Sequence, residues 1–567
     1  MTSASHHGNG DGSSQPRPKR QLMPDAITIP PEILTRHRAR VLDPTTAVRS
    51  QDGTWPLSTV YRSDVLLVPA GDAKRLRSDP KRRPEPDDDI NGVLARIDYE
   101  LRPPRDEGWQ SVVNRLPDNV GVPVPLKWKD DRPADRAPDP WAGYVVLKDA
   151  LGERVNDYGV DHMVMGASLT FGGAPVSHGP SIGSPVSHGP SIDGGIVMHT
   201  GDRNPVALLM PRPVRPKAAS LPGGRRPVVA VLDTGIGPHP WWNGQDPADP
   251  IYEVAQDFQN QLANVEIGIG QLSPTQPSPL SSPFETQDEI DPLLGLIDSH
   301  SGHGTFVSGL VHQLCPAAKI LSLRVLHSDG FSTESAVVLA LNWLVDQVTN
   351  HGRQIDVVSM SLGFYAETAS VPEQQQVRGL VEQLTALGVL VVAAAGNDAT
   401  TRPFMPAAFA KGTGGAAGGI ELLGAVGARN APGDTTAAFS NWGEWVSLWA
   451  PGDGLVSTVP VWEGAAEGGL SLLDGAGLGP DVRTAPDPDD LRTGFAVWAG
   501  TSFATPVIAG LLASALTTVK ACELGTSAGV ARAKDALRSV NSQIVDRGWK
   551  KKSPVSAKRS QEEISAS

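Results

Sequence analysis

From residue 227 onward the chain alternates short, unbroken apolar runs with helical stretches. The run at 228–232, Val-Val-Ala-Val-Leu, lacks polar alternation, as expected of a strand buried on both faces. Comparable runs recur at 320–326, 355–360, 389–395 and 422–426. Between them, residues 333–348 are apolar almost all round and predict a buried helix, whereas 373–387 have the one-sided spacing of an amphipathic helix. Strands alternating with helices at this interval predict a doubly wound parallel sheet of the α/β class, with its chemistry beyond the carboxyl ends of the strands.

The upstream texture is different. Strand-like runs at 64–68, 93–97 and 144–147 are separated by charged, Pro-rich loops, which predicts a small N-terminal α+β accessory domain over 55–170. Residues 1–54 read as a disordered segment and 171–226 as a Gly/Pro/Ser-rich linker. The linker carries a direct repeat, Pro-Val-Ser-His-Gly-Pro-Ser-Ile at 175–182 and again at 185–192. Its His178 and His188 have no thiol or carboxylate at ligand spacing, so the repeat reads as linker, not metal site. The α/β region spans 227–545, and 546–567 is a charged tail expected to be disordered.

Composition narrows the function classes. Sixty Gly and fifty Pro among 567 residues fit long loops around a large core. A formal net charge of −13 leaves no basic surplus for phosphate and argues against a nucleic-acid partner. Residues 1–24 hold no apolar signal core, and the longest apolar stretch, 507–519, is too short for a bilayer. A cytoplasmic protein without membrane contact is therefore expected. Cys315 and Cys522 make no disulfide framework and are expected as buried free thiols.

The 507–519 run is preceded by Gly500-Thr501-Ser502-Phe503-Ala504-Thr505-Pro506. Pro506 suits the first turn of a helix, so Ser502 is expected at its N-terminus, where free N–H groups and the dipole stabilise an oxyanion. A nucleophilic serine needs a base, and the base an orienting carboxylate. Of thirteen histidines, His303 stands out in Gly302-His303-Gly304-Thr305, whose small residues admit close backbone approach; His300 falls in a polar loop. Asp233 ends the first core strand in Leu232-Asp233-Thr234-Gly235. A second Asp-Thr-Gly, which an aspartic protease requires, is absent. Asn397 follows the 389–395 run; it either caps a turn or offers its amide beside the Ser502 N–H as an oxyanion pair.

These blocks, in the order Asp, His, Ser, resemble the subtilisin-like serine protease family over residues 227–545. The resemblance implies a serine endopeptidase acting on protein or peptide substrates, with no cofactor. In it Ser502 attacks the scissile carbonyl, His303 serves as base and then acid, Asp233 orients the imidazole and Asn397 completes the oxyanion hole. The segment 359–363 resembles the strand that pairs with substrate, so an extended substrate is expected beside Ser361, Leu362 and Gly363. Ala394, Ala395 and Gly396 would form the other wall, and 449–452 resembles a further family segment.

The chain also departs from the family. Insertions at 271–283 and 464–491, the second with Asp481, Asp487, Asp489 and Asp490, are expected to restrict the cleft. The loop that holds calcium in many relatives is missing after His303, so no metal is expected, and Phe306 replaces a second histidine. The segment from Asn397 to Pro406 is short, which bears on the depth of the primary specificity pocket. Sedolisin relatives replace the histidine by glutamate, which the intact Gly302-His303-Gly304 argues against. The alternative from another class is a catalytically silent protease fold serving as a binding module. Residues 55–170 have two open roles: a prodomain-like inhibitor released by a cut within 171–226, or a domain that binds a partner. Limited or regulated intracellular proteolysis is the expected use.

Overall fold

The computed structural model describes residues 29–49, 53, 55–78, 90–129, 137–167, 203–208, 211–243, 246–270, 279–285, 289–291, 296–368, 371, 375–411, 418–462, 471–472, 483–484 and 491–549. The repeat at 175–192 and the acidic group of the second insertion lie outside them.

The accessory domain runs through α1 (Pro31–Arg36), β1 (Ala39–Val41), β2 (Val60–Pro69), α2 (Ala70–Ser78), α3 (Ile90–Leu94), β3 (Tyr99–Leu101), α4 (Glu107–Arg115), β4 (Gly121–Trp128), α5 (Pro140–Leu151) and β5 (Gly159–Gly166). Its antiparallel sheet has the order β5-β2-β4-β3, with β1 on β2. Three expectations are corrected here. Residues 93–97 finish α3 and a 3-10 turn, and 144–147 lie inside α5. A four-residue apolar run does not distinguish strand from buried helix; the N-cap did, with the Asp139 carboxylate accepting from the Trp141 N–H and Pro140 in the first turn. Nor is 1–54 wholly disordered, because β1 pairs with β2 from Ala39↔Arg62 to Val41↔Val60.

The remainder comprises β6 (Asn204–Pro205), β7 (Val228–Asp233), β8 (Tyr252–Val254), α6 (Gln256–Gly268), α7 (His303–Leu314), β9 (Lys319–Arg324), β10 (Phe331–Thr333), α8 (Glu334–Thr349), β11 (Val357–Met360), β12 (Leu362–Gly363), α9 (Gln376–Ala386), β13 (Leu390–Ala394), β14 (Leu423–Arg429), β15 (Leu448–Pro451), β16 (Leu455–Thr458), β17 (Phe495–Trp498), α10 (Thr501–Thr517) and α11 (Ser527–Asp546). Seven strands form the expected parallel sheet, in the order β15-β14-β13-β11-β7-β9-β8. Val229, Val231, Ile320 and Val392 point into a core shared with α7, α10 and α11. Their neighbours Ala230, Leu232, Leu321 and Val358 point into a second core with α6, α8 and α9. Burial on both faces is why these runs carry no polar alternation. The second core continues into Leu66, Val122 and Val124, so the accessory domain and the α/β unit share apolar contact.

The linker boundary also moves. β6 pairs antiparallel with β17, and the Arg226 guanidinium donates to the Ala317 carbonyl at 3.1 Å, so described residues between 203 and 226 lie against the α/β unit. Cys315 is buried, its thiol pushed up to about 11 by burial, whereas Cys522 is half-exposed, contrary to expectation. No described helix is long and apolar enough to cross a membrane.

His312, on α7, is 1% exposed and packs between Trp241 and Trp242, with ring centroids 6.1 and 5.8 Å away. Neither ring nitrogen has a hydrogen-bond partner. Burial, with Arg215 and Arg212 adding to it, pushes this imidazole down to about 4. The folded state therefore refuses a proton that the unfolded chain accepts near 6.5, and stability is lost as pH falls through that window. We expect His312→Phe to flatten the acid limb: between pH 6.5 and 4, wild type should lose roughly 3 kcal/mol more than the variant in denaturant titrations.

Candidate active site

β7 ends in Asp233, α7 begins at His303 and α10 begins one residue before Ser502; all three side chains are buried. The His303 Nδ1 lies 2.6 Å from Asp233 Oδ1. A carboxylate only accepts, so Nδ1 is the donor of this pair, and in the neutral imidazole the lone pair falls on Nε2. That Nε2 has no hydrogen-bond partner. The imidazole is held edge-on by Trp498, at 5.5 Å, and against Phe503, at 5.2 Å, the residue following Ser502. The Ser502 hydroxyl donates instead to the Ser361 carbonyl at 2.9 Å.

α10 starts earlier than Pro506 suggests: the proline sits inside the helix. Its missing N–H leaves the Ser502 carbonyl without an intrahelical donor, and the Ser361 hydroxyl donates to that carbonyl at 2.7 Å. Asn397 Oδ1 accepts from the Thr501 N–H and hydroxyl, both at 2.9 Å. Because a backbone N–H must meet the oxygen end of the amide, the Nδ2 end is the free one, and it is buried without a partner.

Beneath these groups lies Glu285, which no spacing in the sequence singled out. It follows the 271–283 insertion and is 4% exposed. Its Oε1 accepts from the Thr234 hydroxyl and, at 2.8 Å, from the Gly302 N–H; its Oε2 accepts from the Thr305 hydroxyl at 2.5 Å. Thr234 in turn accepts from the Gly304 N–H at 2.8 Å. One carboxylate thus ties the turn after Asp233 to the first turn of the helix that starts with His303. Burial raises its pKa, an effect its two threonine hydrogen bonds oppose.

The cleft beside Ser502 is filled by this chain's own β5. Leu362 pairs with Gly166 and Gly363 with Met165, antiparallel, as expected for a peptide beside Ser361, Leu362 and Gly363. The other edge of β5 pairs with β10, from Phe331↔Met165 to Thr333↔Met163. Ala394 packs in the small apolar cluster that holds Ala167, while Ala395 and Gly396 offer their carbonyls to Asn441. Past β5, the Ala167 N–H donates to the Ser361 carbonyl at 3.0 Å, and the Ala167 carbonyl accepts from the Ser502 N–H at 2.9 Å.

Buried polar groups fasten β5 in place. Asp161 accepts from the Ser335 N–H and hydroxyl, both at 2.9 Å, capping α8 from outside, and burial pushes it up to about 6. His162 lies between Glu334, at 2.5 Å, and Glu367, at 2.9 Å. Burial alone would lower its pKa, but the two carboxylates push it up to about 10. Ahead of the sheet, His37 meets Asp329 at 2.7 Å, and Arg36 lies 3.2 Å from both Asp298 and Asp329. His300, read as a loop residue, is buried with its ring 5.4 Å from that of His303; burial first, then His303, pushes it down to about 3.

Residues 224–536 match the model of the subtilase family. Alkaline elastase YaB of a Bacillus species is 30% identical over 226 residues, 38% of this chain and 45% of that protein. Subtilisin-like protease 1 of Arthroderma gypseum is 32% identical over 181 residues, 31% of this chain and 34% of that protein. Subtilisin BL of Lederbergia lenta is 28% identical over 253 residues, 43% of this chain and 70% of that protein. The match thus spans less than half the length of the first two relatives. Among solved structures, a cold adapted subtilisin-like serine proteinase is 20% identical, covering 56% of this chain and 83% of that one, with a TM-score of 0.33. With the family model spanning more than half of its length, the chain belongs to the subtilase family.

Proposed function

We propose that the chain is a serine endopeptidase whose accessory domain is its own inhibitor and first substrate. The observation that carries this is the hydrogen bond from the Ser502 N–H to the Ala167 carbonyl, at the end of a strand laid between β10 and β12. In this reading Ala167–Ser168 is the scissile bond. It lies just upstream of the 171–226 stretch in which the cut was expected.

Ser502 Oγ leaves the Ser361 carbonyl, turns to His303 Nε2 and attacks the carbonyl carbon of Ala167. A new C–O bond forms as the proton passes to His303, and Asp233 stabilises the resulting imidazolium. The oxyanion is held by the Ser502 N–H and the free Asn397 Nδ2. His303 then gives its proton to the amine of Ser168 as the C–N bond breaks, and water releases the acyl group. After the cut, β5 still pairs on both edges and remains an obstacle to other substrates. Limited proteolysis, not general digestion, fits such an occupied cleft.

Three outcomes test the reading. Wild-type protein should label at Ser502 with a fluorophosphonate and shed a fragment ending at Ala167 by intact mass spectrometry, whereas Ser502→Ala should do neither. If wild type neither labels nor sheds, the protease reading fails and the binding-module alternative takes its place. Asn397→Ala should still fold but self-cleave about 10²–10³-fold more slowly. Glu285→Ala strands three donors around Asp233 and His303 and should lower stability by about 2–5 kcal/mol; Glu285→Gln, which keeps an acceptor, should lose less, as thermal melts will show.

A further inference from the structure

The residues touching the end of β5 leave little room, and this carries the reading above from a reaction class to a substrate class. Ala167 is 3% exposed and packs with Tyr365, Ala394 and Phe404. The Phe404 ring lies between the two backbones that frame this position. A β-carbon on Gly363 would stand 2.4 Å from Phe404 Cε1, and one on Gly396 would stand 3.2 Å from Phe404 Cδ1. The ring has little freedom to retreat, because it packs on Tyr365 with centroids 4.9 Å apart. Tyr365 is itself fixed: its hydroxyl donates to Asp398 and accepts from Asn441 Nδ2 at 2.8 Å. Where a longer side chain at residue 167 would extend, the space already holds an aromatic ring.

The preceding position is tighter still. A β-carbon on Gly166 would lie 2.8 Å from His300 Cδ2 and 3.0 Å from its Nε2. The other side of that imidazole rests against Gly330, where a β-carbon would stand 2.2 Å from Nδ1. The ring is buried, is 6.4 Å from the Trp498 ring, and its Nδ1 lies 3.1 Å from the Ser299 hydroxyl. Any side chain at residue 166 must displace a packed aromatic ring.

We propose that this cleft selects peptides with two small residues before the scissile bond, glycine second and alanine or smaller first, with His300 and Phe404 as the specificity-determining side chains. The inference rests on the protease reading and is a claim about its substrates. Discrimination comes from steric exclusion, which acts against larger residues without strengthening binding of small ones.

The test uses the full chain and its self-cleavage. Ala167→Phe should slow release of the 1–167 fragment at least about 100-fold, and Phe404→Ala in the same chain should recover most of that loss. Gly166→Leu should slow release similarly and be recovered by His300→Ala but not by Phe404→Ala. Fluorophosphonate labelling of each variant reports the reactive serine independently of the side chains before the bond. Cleavage of Ala167→Phe at the wild-type rate overturns the proposal, as does failure of Phe404→Ala to recover it in a protein that still labels. Should Phe404→Ala not fold, Ala167→Ser, Ala167→Val and Ala167→Phe are compared in the full chain; release rates of the 1–167 fragment that do not fall with side-chain size overturn it. Absence of both labelling and cleavage in wild type overturns the protease reading itself, and this one with it.

Discussion

One strand organises this molecule. β5 pairs with β2 in the accessory sheet and with β10 and β12 of the α/β unit, so a single backbone segment belongs to both parts. An antiparallel partner on each edge leaves β5 few free backbone donors and acceptors, and the register of that pairing directs the carbonyl of Ala167, the next residue, to the Ser502 N–H. The buried ionic groups on either side have the same consequence. Departure of β5 would carry His162 and Asp161 away and take these partners from Glu334, Glu367 and Ser335, which stay behind in the α/β unit. The interface therefore resists partial opening: the strand is in or it is out.

The site that β5 covers follows from the sheet. Parallel strands bring their carboxyl ends to one side, so Asp233 and the turn carrying Asn397 arrive together, although 164 positions apart by their residue numbers. The helices α7 and α10 pack on one face of that sheet and bring His303 and Ser502 to the same edge. Precision is added by small polar links. Glu285 ties the turn after Asp233 to the start of α7, Thr501 orients the Asn397 amide, and Ser361 meets both the hydroxyl and the carbonyl of Ser502. In the proposed mechanism these links hold the geometry while the reacting groups change charge.

The parts legible in advance share one property: their signal is local. Unbroken apolar runs marked the central strands because both faces of each are buried, and Asp233, His303, Asn397 and Ser502 stood in short blocks whose small residues have a steric reason. The residues 93–97 and 144–147 were misread because four or five apolar positions satisfy either periodicity, and packing made the choice. Glu285 was missed because its partners, Thr234 in one segment and Gly302 and Thr305 in another, lie far from it in the chain or in a different element. Pro506 was placed at a helix start, but its consequence, a carbonyl freed for Ser361, depends on a strand more than a hundred residues away.

The sequence by itself therefore determined the α/β class, the parallel sheet and the residue types available for chemistry, since those follow from burial periodicity and from the local sterics of turns and helix ends. The tertiary structure alone decided what occupies the cleft, which strand forms its second edge, and how little space His300 and Phe404 leave there. Those are properties of contacts between segments far apart in the chain. No local pattern encodes such distances, because they exist only once the sheet has brought the segments together.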